Sequence, residues 1–154
     1  MPDTQLALHG GTPVITRPIK GFNTIGEEEL AAVTAVMKTG VLSAYVGAPG
    51  AAFMGGPRVR KFETEAAAYF GVRHAVAVNS WTSGLIAAVG AIGVEPFDEI
   101  ITTPWTMVAS AAAILHWNAI PVFADIDPAT FNIDPKSVER MITPRTRAIM
   151  AVDI

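Results

Sequence analysis

What limits this chain most is a change of rhythm at Ala75: from there on, short apolar runs alternate with stretches whose apolar residues recur at helical spacing. Ala75-Val76-Ala77-Val78 is one such run, and after a polar turn Leu85, Ile86, Val89 and Ile92 share a helical face. The unit repeats as a strand over 99–103 with a helix over 108–117, then as a strand over 120–124 with a helix that starts at Pro135 behind its cap Asp134. A last strand is expected over 147–152. Short apolar strands alternating with helices predict the α/β class, a mainly parallel sheet with helices on both faces and right-handed crossovers. The sheet is unfinished at Ile154, so the layer is expected to be incomplete.

Upstream the pattern differs. Residues 1–23 hold Gly10-Gly11, Pro13 and Pro18, which predict an extended arm with turns and no long helix. The domain proper is expected over 24–154. Its first helix is predicted over 27–39, with Thr24 as cap, Leu30, Val33 and Met37 at helical spacing, and Gly40 as stop. Glu27, Glu28 and Glu29 fit the positive end of that helix better than a metal or a general base. Residues 47–56 read as a backbone-rich loop, either a flexible connection or a cover for a ligand. Pro57 then opens a helix with Val59, Phe62, Ala66 and Tyr69 as its apolar stripe and Gly71 as its end; Arg58, Arg60, Lys61, Glu63 and Glu65 form its solvated face.

Composition removes several function classes. A formal net charge of -3, with eleven scattered Lys and Arg, gives no basic footprint for nucleic acid or an anionic membrane. The absence of cysteine excludes disulfides, thiolate metal sites and a cysteine nucleophile. No apolar run approaches the ~18 residues of a membrane span, and Met1-Pro2-Asp3-Thr4-Gln5 does not open a signal peptide. A cytoplasmic location is the expectation.

In a parallel layer, ligands bind outside the carboxyl ends of the strands. Three turns therefore matter: 79–83, 103–107 and 125–134. The first, Asn79-Ser80-Trp81-Thr82-Ser83, places hydroxyls and unpaired amides at a helix start, where a phosphate fits. The same residues could merely cap the helix. No Gly-x-Gly-x-x-Gly follows a strand and no Gly-Lys-Ser/Thr ends a loop, so dinucleotide and nucleoside-triphosphate readings lose weight.

Residues 79–85, Asn-Ser-Trp-Thr-Ser-Gly-Leu, resemble the Asn-Ser-Gly-Thr-Ser-Ala-Leu motif of the DegT/StrS-type sugar aminotransferases, which use pyridoxal phosphate. Further segments are similar to that family in the same order. They are Gly56-Pro57 leading to Phe62-Glu63, then Tyr69-Phe70-Gly71, and Asp98-Glu99-Ile100. After these come residues 119–127, Ile133-Asp134-Pro135, and 142–146. The resemblance runs from about Leu8 to the end.

What the resemblance implies is the N-terminal part of the large domain of a fold-type-I enzyme. Its cofactor is an electron sink, and the protein supplies orientation and charge. The amides and hydroxyl of Trp81, Thr82 and Ser83 would hold the cofactor phosphate, with Met107 at the position of the ring-stacking aromatic and Trp105 two residues before it. The implied reaction moves an amino group from an amino-acid donor, commonly glutamate, to a keto group on a nucleotide-linked sugar, as in cell-surface polysaccharide biosynthesis. A homodimer is implied for the complete enzyme. The aspartate facing the pyridine nitrogen and the Schiff-base lysine lie in the family beyond the segment corresponding to residues 151–154, and the small C-terminal domain is absent. Lys20, Lys38, Lys61 and Lys136 all sit on arms or helices. The chain alone is therefore expected to be inactive.

Departures from the family pattern are specific. Trp81 replaces the glycine of the phosphate turn, so either the indole points away from the ligand or the turn is reshaped. Trp105 is either a core anchor or a pocket wall. Phe97 replaces the glycine before Asp98, read as a loop change. His9, His74 and His116 are isolated; Asp125, Asp127 and Asp134 fit turns and helix starts; Asn118 after Trp117 fits a left-handed helix end. Two other readings stand beside the aminotransferase. One is a non-catalytic truncated homologue or partner of a full-length subunit; the other is a different phosphate-binding α/β module.

Overall fold

The computed structural model describes residues 5–154, so the first four residues of the expected 1–23 arm, and the leader reading drawn from them, lie outside the described residues. The chain forms two compact units, one up to Arg60 and one from Lys61 to Ile154.

In the first unit a single 3-10 turn (Ala7–His9) interrupts the extended arm, followed by helix α1 (Glu27–Thr39). The cap is Gly26, two residues later than Thr24, because the Glu29 carboxylate reaches back to the Gly26 N–H at 2.7 Å and fixes the start there. Gly40, at φ 68°, closes α1 by donating to the Met37 carbonyl. Leu30, Val33 and Met37 keep the helical spacing but remain more than half exposed. The 47–56 loop folds back on itself: Val46 donates to the Ala52 carbonyl, and Gly55, at φ 87°, lies against the Tyr45 ring. Helix α2 (Pro57–Phe70) spans the unit boundary.

The second unit holds the sheet. Strands β1 (Glu99–Thr102), β2 (Ile120–Phe123) and β3 (Thr146–Ile149) pair in the order β2-β1-β3, all parallel. Helices α3 (Trp81–Ala91), α4 (Val108–Leu115) and α5 (Pro135–Met141) connect or precede them. Central β1 is buried along its whole length and divides the core by side-chain alternation. Ile100 packs with Val89, Val94, Ile114 and Ala119 from the α3 and α4 side, whereas Ile101 packs with Ala124 and Val138 from the α5 side. The adjacent isoleucines of β1 are thus explained by cover on both faces.

Two expectations about strands need correction. Residues 75–78 form no strand: a strand exists only through ladder bonds to a neighbour, and none runs beside this segment among the described residues. The Ala77 N–H is taken instead by the Glu63 carboxylate at 2.8 Å, and Val76 is 78% exposed. The last strand starts one residue early and stops at Ile149, although the Met150 N–H still reaches the Ile101 carbonyl at 2.8 Å.

At the amino end of β1 lies a polar network. The buried Glu99 carboxylate accepts from the Thr143 hydroxyl and is forked by the Arg145 guanidinium, while the Glu99 N–H donates to the Arg145 carbonyl at 2.9 Å. Two loop residues beside it are left-handed, Phe97 at φ 72° and Asn118 at φ 57°, joined by the Phe97 N–H and the Asn118 carbonyl at 2.9 Å. Asn118 ends its helix as expected; Phe97 is more than a loop change, since it holds a backbone conformation that suits glycine.

Candidate cofactor site

The extended segment before α3 delivers Asn79 and Ser80 to the helix start. Ser80 is the cap, accepting at Oγ from the Ser83 N–H at 3.2 Å, and the Ser83 hydroxyl donates to Asn79 Oδ1 at 2.6 Å. These residues hold one another, which is the capping role. Left over, among the described residues, are the backbone N–H groups of Trp81 and Thr82 and the Thr82 hydroxyl, none of which has a partner. Two open amides and a free hydroxyl on the first turn of an eleven-residue helix suit an anion: the donors are pre-placed and the helix dipole favours negative charge. A phosphate group meets donors it can use there.

Trp81 does not block this turn. Its side chain is largely exposed, 74%, and its benzo edge lies over Gly84: a methyl group added there would stand 2.8 Å from Cε3 and 3.0 Å from Cζ3. Of the two outcomes left open by the sequence, the indole points along α3, and the turn keeps an ordinary cap.

The second predicted pair lies at the carboxyl end of β1. Strand order reverses direction between β2 and β3 around β1, which makes this end the switch point of the layer. A depression of about 500 Å³ opens there, lined by Pro104, Trp105, Thr106, Met107 and Ile154. Trp105 is a wall and not a core anchor, being 54% exposed; Met107, the cap residue of α4, is 77% exposed. The 103–107 turn is shaped by Thr103, whose buried Oγ1 accepts from the Trp105 N–H at 3.1 Å.

Phe131 and Asn132 were missed by the sequence reading. The turn after β2 is pinned by Asp127, which accepts at Oδ1 from the Ala129 and Thr130 amides, and by the Asp134 cap on the Lys136 and Ser137 amides. Both aspartates thus do turn chemistry. The pinned turn puts the Phe131 ring, at φ 61°, 5.7 Å from the Trp105 ring, and Asn132 Oδ1 accepts from the Ile154 N–H at 2.9 Å. An aromatic residue between two Asp-Pro pairs was the available signal.

Helices α3 and α4 pack side by side, and Trp117 just past α4 bonds the Ile86 carbonyl of α3. Of the three turns named from sequence, 103–107 and 125–134 follow the carboxyl ends of β1 and β2 and meet through the Trp105 and Phe131 rings. The walls of the depression, however, contain none of residues 79–83. Among the described residues two carboxylates are displaced from ordinary titration, and neither is at the site. Glu29 is lowered by the N–H groups of Gly26 and of its own backbone, and Glu99 is lowered by the Thr143 hydroxyl and the Arg145 guanidinium.

The sequence model of the DegT/DnrJ/EryC1/StrS aminotransferase family matches residues 23–154. The spore coat polysaccharide biosynthesis protein SpsC of Bacillus subtilis is 47% identical over 128 residues, 83% of this chain and 30% of SpsC. An L-glutamine:2-deoxy-scyllo-inosose aminotransferase of Streptoalloteichus tenebrarius is 38% identical over 153 residues, 97% of this chain and 34% of its own. The crystal structure of NtdA from Bacillus subtilis with bound cofactor PMP superposes with a TM-score of 0.71 at 29% identity, covering 88% of this chain and 31% of that one. The chain spans about a third of the length of the curated relatives it matches. No helix among the described residues is long and apolar enough to cross a membrane.

Proposed function

Because the chain belongs to the DegT/DnrJ/EryC1/StrS aminotransferase family, we propose that residues 24–154 supply the phosphate-holding part of its cofactor site, in an enzyme that aminates a keto sugar. The layer is part of the fold-type-I aminotransferase fold, and the family's cofactor is pyridoxal phosphate. When bound, that cofactor supplies the electron sink for moving an amino group. The observation that carries the reading is the open first turn of α3. The Trp81 and Thr82 amides and the Thr82 hydroxyl hold the phosphate there, and the Ser83 amide, shared with Ser80, completes the cradle. Trp105 and Met107 form the wall toward the cofactor ring, with Phe131 backing Trp105.

The donor is an amino acid, and the acceptor is a keto group on a nucleotide-linked sugar. Support for the nucleotide comes from the likeness to a polysaccharide-biosynthesis protein, since polymerising sugars requires them in activated form. The likeness to a scyllo-inosose aminotransferase favours a second reading, an unlinked cyclitol ketone. Assay of both acceptor classes with the full-length enzyme separates them. The setting is cytoplasmic, and the complete enzyme is a homodimer with residues 1–23 as an arm.

By itself the chain binds without turnover. Its four lysines support this: Lys20 is on the arm, Lys38 on α1, Lys61 on α2 beside Glu65, and Lys136 on α5, none lining the depression.

Equilibrium dialysis of pyridoxal phosphate against pyridoxal tests the cradle. Binding should depend on the phosphate and weaken about tenfold in Thr82→Ala, the equivalent of one lost charge-assisted bond. Equal binding of the two compounds would sink it.

A further inference from the structure

Gly84 sits in the first half of α3, where a helix is ordinarily stronger with alanine. Its surroundings give the reason for glycine. The benzo edge of Trp81, one helical turn earlier, occupies the space a methyl group would need, at 2.8 Å from Cε3 and 3.0 Å from Cζ3. Val78 closes the other side, with Cγ2 at 3.5 Å. A carbon cannot stand 2.8 Å from a ring carbon, so alanine at 84 requires the indole to move. With Val78 on its far side the methyl group has no room to retreat, so the exposed indole is what gives way. Trp81 itself carries one of the two open amides of the first turn, so a displacement of its side chain begins at the cradle. Both departures from the Asn-Ser-Gly-Thr-Ser-Ala-Leu pattern fall on this pair: the added bulk at 81 and the lost methyl at 84 offset each other.

We propose that Gly84 is a positioning residue for the phosphate cradle, acting through Trp81: it gives the indole a seat on the flank of α3 and so keeps the first-turn amides accessible to a phosphate-bearing cofactor. The inference rests on the cradle reading given above. It predicts a coupling that neither residue shows alone. With Trp81 present, alanine at 84 closes the cradle; with Trp81 cut back, the same alanine is harmless there and strengthens the helix.

The test uses four full-length chains: the natural one, Gly84→Ala, Trp81→Ala, and the double variant. Affinity for pyridoxal phosphate and for pyridoxal is measured by equilibrium dialysis, and thermal unfolding is recorded for each. Gly84→Ala should lose about tenfold in affinity for pyridoxal phosphate, one charge-assisted bond's worth, with affinity for pyridoxal unchanged. The double variant should bind within about twofold of Trp81→Ala, as an uncoupled site would. Its melting temperature should exceed that of Trp81→Ala, whereas Gly84→Ala should melt below the natural chain. Should Gly84→Ala not fold, Trp81→Phe with Gly84→Ala replaces it, and a loss of about threefold relative to Trp81→Phe alone is expected from its smaller ring.

Natural affinity for pyridoxal phosphate with no loss in Gly84→Ala overturns this inference and leaves the cradle standing. Loss that persists undiminished in the double variant also overturns it. Natural chain that binds pyridoxal and pyridoxal phosphate equally overturns the cradle and this inference together.

Discussion

The Trp117 indole N–H donates to the Ile86 carbonyl oxygen at 2.8 Å, and the same ring lies across Gly90, so one side chain fastens the end of α4 to α3. A methyl group at Gly90 would stand 2.7 Å from the ring carbon Cη2. Gly90→Ala should therefore destabilise the chain by about 1–3 kcal/mol, against the gain of about 1 kcal/mol that alanine normally brings to a helix. Trp117→Phe loses the donor and part of the ring that covers Gly90, and should cost about 1–3 kcal/mol. Urea unfolding of both variants checks the pair; a stabilised Gly90→Ala would show that the ring is not seated as described.

Glu99 makes stability depend on acid. Its carboxyl is held below the ordinary value of 4.5 by the Thr143 hydroxyl first and the Arg145 guanidinium second. A carboxyl that titrates lower when folded contributes stability above its unfolded value. That contribution is lost as pH falls from about 4.5 through the folded value. Unfolding followed from pH 7 downward should show this loss, and Glu99→Gln should be less stable at neutral pH with a flatter acid limb. An unchanged acid limb in the variant would rule the network out as its source.

Phe97 carries backbone strain that nothing at the loop requires of a side chain. It is 72% exposed and left-handed at φ 72°. Phe97→Gly should relieve about 1–2 kcal/mol of steric cost and give back part of it to the freer unfolded chain, for a net gain of about 0.5–1 kcal/mol. A calorimetric melting temperature that falls in the variant would contradict this reading.

The sequence made some of this legible and hid the rest for physical reasons. Helices α1 and α2 were readable to the residue because their ends are written locally, in Gly40, Pro57 and Gly71. The doubly covered β1 was readable because every one of its side chains is buried. Residues 75–78 carry the same apolar signal, but a strand is a relation between two segments, and periodicity in one does not supply the other. The partners of Trp81 and Trp105 were hidden for a similar reason. That an indole at 81 needs glycine at 84, or that Phe131 comes to lie on Trp105, depends on which way a ring turns once the backbone is set. Glu99 and Arg145 are 46 residues apart, and only the parallel register of β1 and β3 brings them together.

That register also orders events in time. Strand β1 pairs with β2 through one short crossover, so the first ladder can close while the chain is still emerging from the ribosome. The other flank of β1 must wait for β3, and until then it presents unpaired amides and carbonyls beside Ile100 and Ile101, with the Glu99 carboxylate still lacking Thr143 and Arg145. Vectorial synthesis therefore gives this layer an interval, between the completion of β2 and the arrival of β3, in which the central strand itself is an open edge that a chaperone recognising bare strands could cover.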